Sequence, residues 1–127
     1  MMMVVIRDNI FASLLAGIGN KTIAYSNLIQ VIKSKTAAGF VPNYAGGGMK
    51  SQDRTEPPVG AKALLQLFKK YKDTWIVELL FDDLLDWSNW FMRRRLLPPL
   101  GLVALGSYNE QAAIIGNFQA ENMQSAR

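Results

Sequence analysis

The stretch SQDRTEPPVG places Asp53, Arg54 and Glu56 within four positions, directly ahead of an apolar run with helical spacing. Carboxylates accept and guanidinium groups donate several hydrogen bonds, and aromatic rings stack on the apolar face of a pyranose. These three residues, with Phe40 or Tyr44 from the preceding text, could therefore hold a sugar. The same residue types also make a helix-capping acid and a local salt bridge, and the residues taken alone favour that simpler outcome. Glycoside hydrolysis needs two carboxyl groups, about 5–5.5 Å apart for retention or about 6.5–9.5 Å for inversion, normally from distant segments. Asp53 and Glu56 are too local to be that pair.

The other candidates are weaker. Asp82, Asp83 and Asp86 lie opposite an aromatic stripe and are expected to form a solvated helix face. Trp75, Trp87 and Trp90 recur at helical spacing and are assigned to packing rather than to a sugar platform. The glycines 46–48 lack the lysine and hydroxyl residue of a phosphate loop, and no strand is expected before them. The 127 residues hold no cysteine and no histidine, so thiolate zinc sites, disulfides and histidine bases are excluded and chemistry rests on carboxylates. No metal and no cofactor is expected.

The net charge is +4, from dispersed lysines and the run Arg93, Arg94, Arg95; without interleaved aromatics this does not describe a nucleic-acid surface. The N-terminal apolar run is broken by Arg7 and Asp8 before it reaches signal-peptide length. Residues 96–105 are too short and too rich in proline and glycine to span a bilayer.

The elements that would position these side chains read as helices. Residues 10–18 form a short, largely buried helix capped by Asp8 or Asn9, closed by Gly17 and Gly19. Asn20 caps a second over 21–36, with Tyr25, Leu28, Ile29 and Ile32 on one face. Residues 37–56 lose the helical period and read as a long loop, of a length usually reserved for binding. Thr55 is expected to cap a third helix with Glu56, Pro57 and Pro58 in its first turn. Its buried stripe is Ala63, Leu64, Leu67, Phe68 and Tyr71. Asp73 or Thr74 caps a fourth helix over 74–95, joined to the third by a very short turn. With no alternating strand pattern, the class is all-α, built from hairpins.

At this point a family likeness enters. The stretch GFVPNYAGGGMKSQDRTEPPVGAKALLQLFKKYKDTWIVELLFDDLLDWSNWF resembles the middle of glycoside hydrolase family 63, which includes mannosylglycerate hydrolase-like and mannosyl-oligosaccharide glucosidase-like proteins. The likeness runs from Phe11 to about Arg95. RDNIFASLLAGIG resembles the family's helix start after an aromatic-Asp-Asn motif, although Arg7 stands where a tryptophan is usual. ENMQSAR, ending at Arg127, resembles the lead into its Glu-Ser-Gly-x-Asp motif.

The resemblance implies an (α/α)6 toroid of six helical hairpins, of which about two are present in a catalytic domain truncated at both ends. It implies an inverting hydrolase of α-linked sugars, acting on glucosylated mannose oligosaccharides, mannosylglycerate-like compounds or related α-glycosides. The acid is expected just after Arg127 and the base further on, so residues 1–127 hold no catalytic residue and should be inactive alone. Asp8 matches the acid of the aromatic-Asp motif and Glu56 the Gln or Glu before the two prolines, both as sugar ligands. Arg54 and Asn43 lie in the matched loops. The expected partners are a carbohydrate substrate and the remainder of the toroid. The alternatives are a non-catalytic helical interaction module and a sugar-binding module without turnover.

Overall fold

The computed structural model describes residues 4–51 and 54–104; the expectations for Asp53 and for 105–127 lie outside these residues. In chain order the elements are β1 (Val4–Val5), α1 (Ile6–Ala16), α2 (Lys21–Lys33), β2 (Tyr44–Gly46), β3 (Met49–Lys50), α3 (Gly60–Tyr71), α4 (Thr74–Arg94), β4 (Leu96–Leu97) and β5 (Leu102–Val103). The described chain is thus mostly helical with small strand pieces, and the all-α expectation is corrected to that extent.

Helix α2 is the central member, meeting α1, α3 and α4. Its N-cap is Asn20, as expected: the side chain accepts from the backbone N–H of Ile23 at 3.0 Å, satisfying one of the donors a helix start leaves open. Ala24, Tyr25, Leu28, Val31 and Ile32 are buried along one face. They meet Ile10 of α1, Ala63, Leu64 and Leu67 of α3, and Ile76, Leu80, Leu84, Trp87, Trp90 and Phe91 of α4 in one core. Each large side chain buried there contributes on the order of 1.5–3 kcal/mol. Helix α2 ends at Lys33 rather than at 36, where the Ser34 hydroxyl turns back to the carbonyl of Val31.

Helix α1 starts at residue 6, not 10, so Asp8 stands inside its first turn, where a carboxylate suits the helix dipole, and does not cap it. Nor is this helix largely buried. Ile10 and Ser13 face the core, whereas Phe11, Leu15 and Ile18, at 49, 70 and 73% exposure, face away.

Two ties fix the helices in place. At one end, Lys70 and Tyr71 of α3 reach the open C-terminus of α1: Lys70 Nζ donates to the carbonyls of Gly17 and Ile18 at 2.7 and 2.6 Å, and Tyr71 Oη to that of Gly17 at 2.6 Å. A Cβ at Gly17 would stand 2.5 Å from Leu67 Cδ2, so a side chain there would push that leucine aside. The N-cap position of α4 is Asp73, as expected, yet its carboxylate makes no cap bond. It accepts instead from Tyr25 Oη at 2.9 Å and pairs with Lys21 at 2.9 Å. Along the flank, Lys33 reaches Asp83 at 2.6 Å, and Lys35 reaches Asp83 and Asp86 at 2.9 and 2.8 Å. Two of the three aspartates expected on a solvated face therefore clamp α4 to the end of α2.

The third helix departs most from expectation. Pro58 keeps Pro57 out of helical conformation and Pro57 does the same to Glu56, so α3 begins at Gly60 with Val59 at its N-cap. Thr55 is free for other bonds. The loop between α2 and α3 also has structure. β2 and β3 form a hairpin whose turn residues, Gly47 and Gly48, have φ of 57° and 77°, the left-handed pair that a two-residue turn demands. β1 adds to its edge, with Val5 opposite Tyr44.

Two consequences can be measured by thermal unfolding. Gly17→Ala drives a methyl into Leu67 and costs about 1–3 kcal/mol, whereas Gly19→Ala, with nothing near the added carbon, stays within about 0.5 kcal/mol. Burial alone would raise the Asp83 carboxyl, but hydrogen bonds from Lys33 and Lys35 outweigh it and hold the group below its usual range. A folded value below the unfolded one gives stability that is present above about pH 4 and lost as pH falls through the folded value. Asp83→Asn therefore lowers stability at pH 7 by about 0.5–1 kcal/mol, and the gap to the parent closes on acidification.

Candidate functional site

The ends of α2 and α4 and the starts of α1 and α3 face the same way, and the loop of residues 34–59 lies across them. Within it two short stretches, 41–43 and 54–56, run antiparallel. The Asn43 N–H donates to the carbonyl of Arg54 at 3.2 Å, Pro42 and Thr55 form an isolated bridge, and the Glu56 N–H donates to the carbonyl of Val41 at 3.1 Å. Three of the four residues expected to bind sugar are thus carried on one pair of antiparallel stretches joined by an isolated bridge. Asp8 lies three residues beyond Val5, the strand partner of Tyr44, and so belongs to the neighbouring junction of β1 and α1.

Their surroundings differ. Glu56 is 4% exposed, Arg54 and Asp8 are exposed, and Asn43 is half-buried. A carboxyl group enters a protein interior only when its oxygens are hydrogen-bonded. Among the described residues no buried side-chain polar atom lacks such a bond. Glu56 is consequently held in a definite orientation, while Arg54 and Asp8 are presented to solvent.

Thr55 sits between Arg54 and Glu56. Its hydroxyl accepts from the indole N–H of Trp87 at 3.0 Å and lies 3.0 Å from the carbonyls of both Val41 and Glu56, to either of which it can donate. Spacing alone could not show this contact, because it joins residues 32 apart. Arg95 was also missed. It is buried at the end of α4 with its guanidinium 5.1 Å from the Trp90 ring centre, and burial pulls its pKa below the ordinary arginine value without discharging it. Only its place at the end of the arginine run hinted at it.

Of the two aromatics expected to stack on a sugar, Phe40 is excluded. It is 4% exposed and its ring centre lies 4.9 Å from that of Trp90, so it belongs to the core. Tyr44 is half-buried on β2 and remains at the site's border. Trp87 and Trp90 pack as expected, but Trp75 is half exposed, edge-on to Tyr25 with ring centres 5.5 Å apart. A separate cavity of about 570 Å³ opens on the outer side of the α3–α4 hairpin, lined chiefly by Leu64, Leu65, Phe68, Val77, Phe81 and Leu85. With so few polar groups it is unsuited to sugar hydroxyls. Among the described residues no cluster of acids is placed to hold a metal ion, and no helix is long and apolar enough to cross a membrane.

The family model for the mannosylglycerate hydrolase MGH1-like glycoside hydrolase domain matches residues 7–113. The chain belongs to this glycoside hydrolase family. Comparison with curated proteins and with solved structures gave no match. The matched span takes in Asp8, Asn43, Arg54 and Glu56, and a glycoside hydrolase domain implies a carbohydrate substrate.

The two charged residues on the second strand differ in what they cost to remove. Glu56→Ala strands the donors of a buried carboxyl and lowers stability by about 1–3 kcal/mol. Arg54→Ala, on an exposed side chain, changes it by no more than about 0.5 kcal/mol. Denaturant titration of both variants at neutral pH measures the difference.

Proposed function

We propose that this chain is the sugar-binding portion of an inverting glycoside hydrolase acting on α-linked sugars. The substrate class is glucosylated mannose oligosaccharides, mannosylglycerate-like compounds or related α-glycosides. The observation that carries this reading is the bridged pair of stretches 41–43 and 54–56, which gathers Asn43, Arg54 and the buried Glu56 at one end of the helices. A fixed carboxylate accepts from two adjacent sugar hydroxyls, an exposed guanidinium donates to their oxygens, and a side-chain amide does both. Asp8, at the β1–α1 junction, extends the same rim. The general acid and base are contributed by other parts of the domain, so these residues bind without cleaving.

The same reading makes α1–α2 and α3–α4 two hairpins of a six-hairpin ring. Two apolar flanks support it. Phe11 and Leu15 share one ridge of α1, with Ile18 exposed in the turn that follows, and the groove of Leu65, Phe68, Phe81 and Leu85 lies on the α3–α4 side. Exposed apolar surface on this scale marks a face that another element covers. A ring member needs a neighbour on each side.

Nuclear magnetic resonance titration of the chain with mannosylglycerate and with methyl α-glucoside tests the reading. Amide shifts of Asn43, Arg54 and Glu56 are expected to move saturably with one sugar, with no product released. Shifts confined to the α3–α4 groove would sink the assignment of the site, and hydrolysis by the chain alone would sink its division from the catalytic groups.

A further inference from the structure

Glu56 belongs to a short connection that leaves the strand at Thr55 and enters α3 at Gly60. Both ends of this connection meet one side chain, Trp87 of α4, which is 1% exposed. The indole Nε1 donates to Thr55 Oγ1 at 3.0 Å. On its opposite edge, Cζ3 would stand only 3.2 Å from a Cβ added to Gly60; that carbon would also lie 3.1 Å from Leu84 Cδ2 and 2.7 Å from Ile32 Cδ1. The first residue of α3 therefore lies close to the indole, and a side chain there would need Ile32 to shift and would press on Leu84 and Trp87.

Between the two contacts Pro57 and Pro58 have fixed φ and offer no N–H. The connection cannot be steadied by backbone donors at those positions; the bonds that hold it include the Glu56 N–H to Val41, the Val59 N–H to the Pro57 carbonyl at 2.7 Å, and the indole N–H to Thr55. A stiff segment that lies against one rigid ring at both ends is placed by that ring, and Glu56 is the residue directly after the first of those contacts, Thr55.

We propose that Trp87, acting through the Thr55 hydroxyl and against Gly60, is a positioning residue that sets where the Glu56 carboxylate stands. This rests on the reading of Glu56 as a sugar ligand. A tryptophan serving only as core needs some acceptor for its N–H, but nothing then requires the orientation of Glu56 to follow from it. A positioning role makes the threonine hydroxyl essential to Glu56, and serine sufficient.

The test compares Thr55→Val, Thr55→Ser, Trp87→Phe and Glu56→Gln in the full chain, by titration with mannosylglycerate and methyl α-glucoside. Losing a buried hydrogen bond of this kind is worth roughly tenfold in an equilibrium constant. Thr55→Val and Trp87→Phe are expected to raise Kd about that much, with Thr55→Ser restoring it to within about twofold. Gly17→Ala, which disturbs packing at the far end, is expected to leave Kd unchanged; an equal loss there would overturn the proposal by making the effect one of stability. Normal binding by Thr55→Val and Trp87→Phe beside weakened binding by Glu56→Gln would also overturn it while leaving the sugar site standing. Normal binding by Glu56→Gln would remove the site itself. A readout without ligand decides independently: the Glu56 carboxyl carbon resonance shifts in Thr55→Val and Trp87→Phe and is kept in Thr55→Ser, and an unmoved resonance in all three overturns the proposal.

Discussion

The other three helices take their places from the apolar face of α2. One helix that touches three others must satisfy each with the same few side chains, so Leu28, Ile32 and their neighbours have little latitude in size. Once that face is filled, the end of α2 brings Lys33 and Lys35 to the aspartates of α4. Helix α4 in turn carries Trp87 to Thr55. The strand that bears Arg54 and Glu56 is thus located by a chain of contacts that begins with hydrocarbon packing and ends with one hydrogen bond. Polar geometry at the loop end is inherited from nonpolar fit along the helices.

The helices could be read from the sequence because their evidence is local. Offsets of three and four place Ala63, Leu64 and Leu67 on one side of α3, and Asn20 announces α2 by a bond it makes within its own turn. What could not be read depended on partners far along the chain. The roles of Asp83 and Asp86 are set by lysines about fifty residues earlier, and Phe40, surrounded by loop-forming residues, is drawn inside by Trp90. The start of α3 differs for a local reason: a single proline suits a first helical turn, but consecutive prolines hold the residues before them extended, and the helix begins only at Gly60. The hairpin of β2 and β3 was likewise signalled by paired glycines at a two-residue turn, but its strands are too short for alternation to show.

The same contrast applies to the site. Family likeness picked out Asp8, Asn43, Arg54 and Glu56, and the fold gathers the last three on paired strands with Asp8 at the adjoining junction. Nothing in residue type distinguished the buried Glu56 from the exposed Arg54 two positions away. Residues two apart on an extended stretch point to the same side, so the difference between them is not one of face but of how close each stands to the core. The tryptophans illustrate the point from the other side: three at helical spacing, of which Trp87 and Trp90 are inside and Trp75 is half outside.

The two ends of the helices are built to different standards. At the short-turn end, lysine, tyrosine and aspartate bind backbone and side chains of both hairpins, so an insertion there would break several bonds at once. At the other end the hairpin tip is exposed, and Gly48 has open space around it. Lengthening or recolouring that tip disturbs no packed neighbour. Descendants of such a sequence are free to explore new loops over the strand pair while the helices stay as they are, a division of labour that lets recognition diversify faster than architecture.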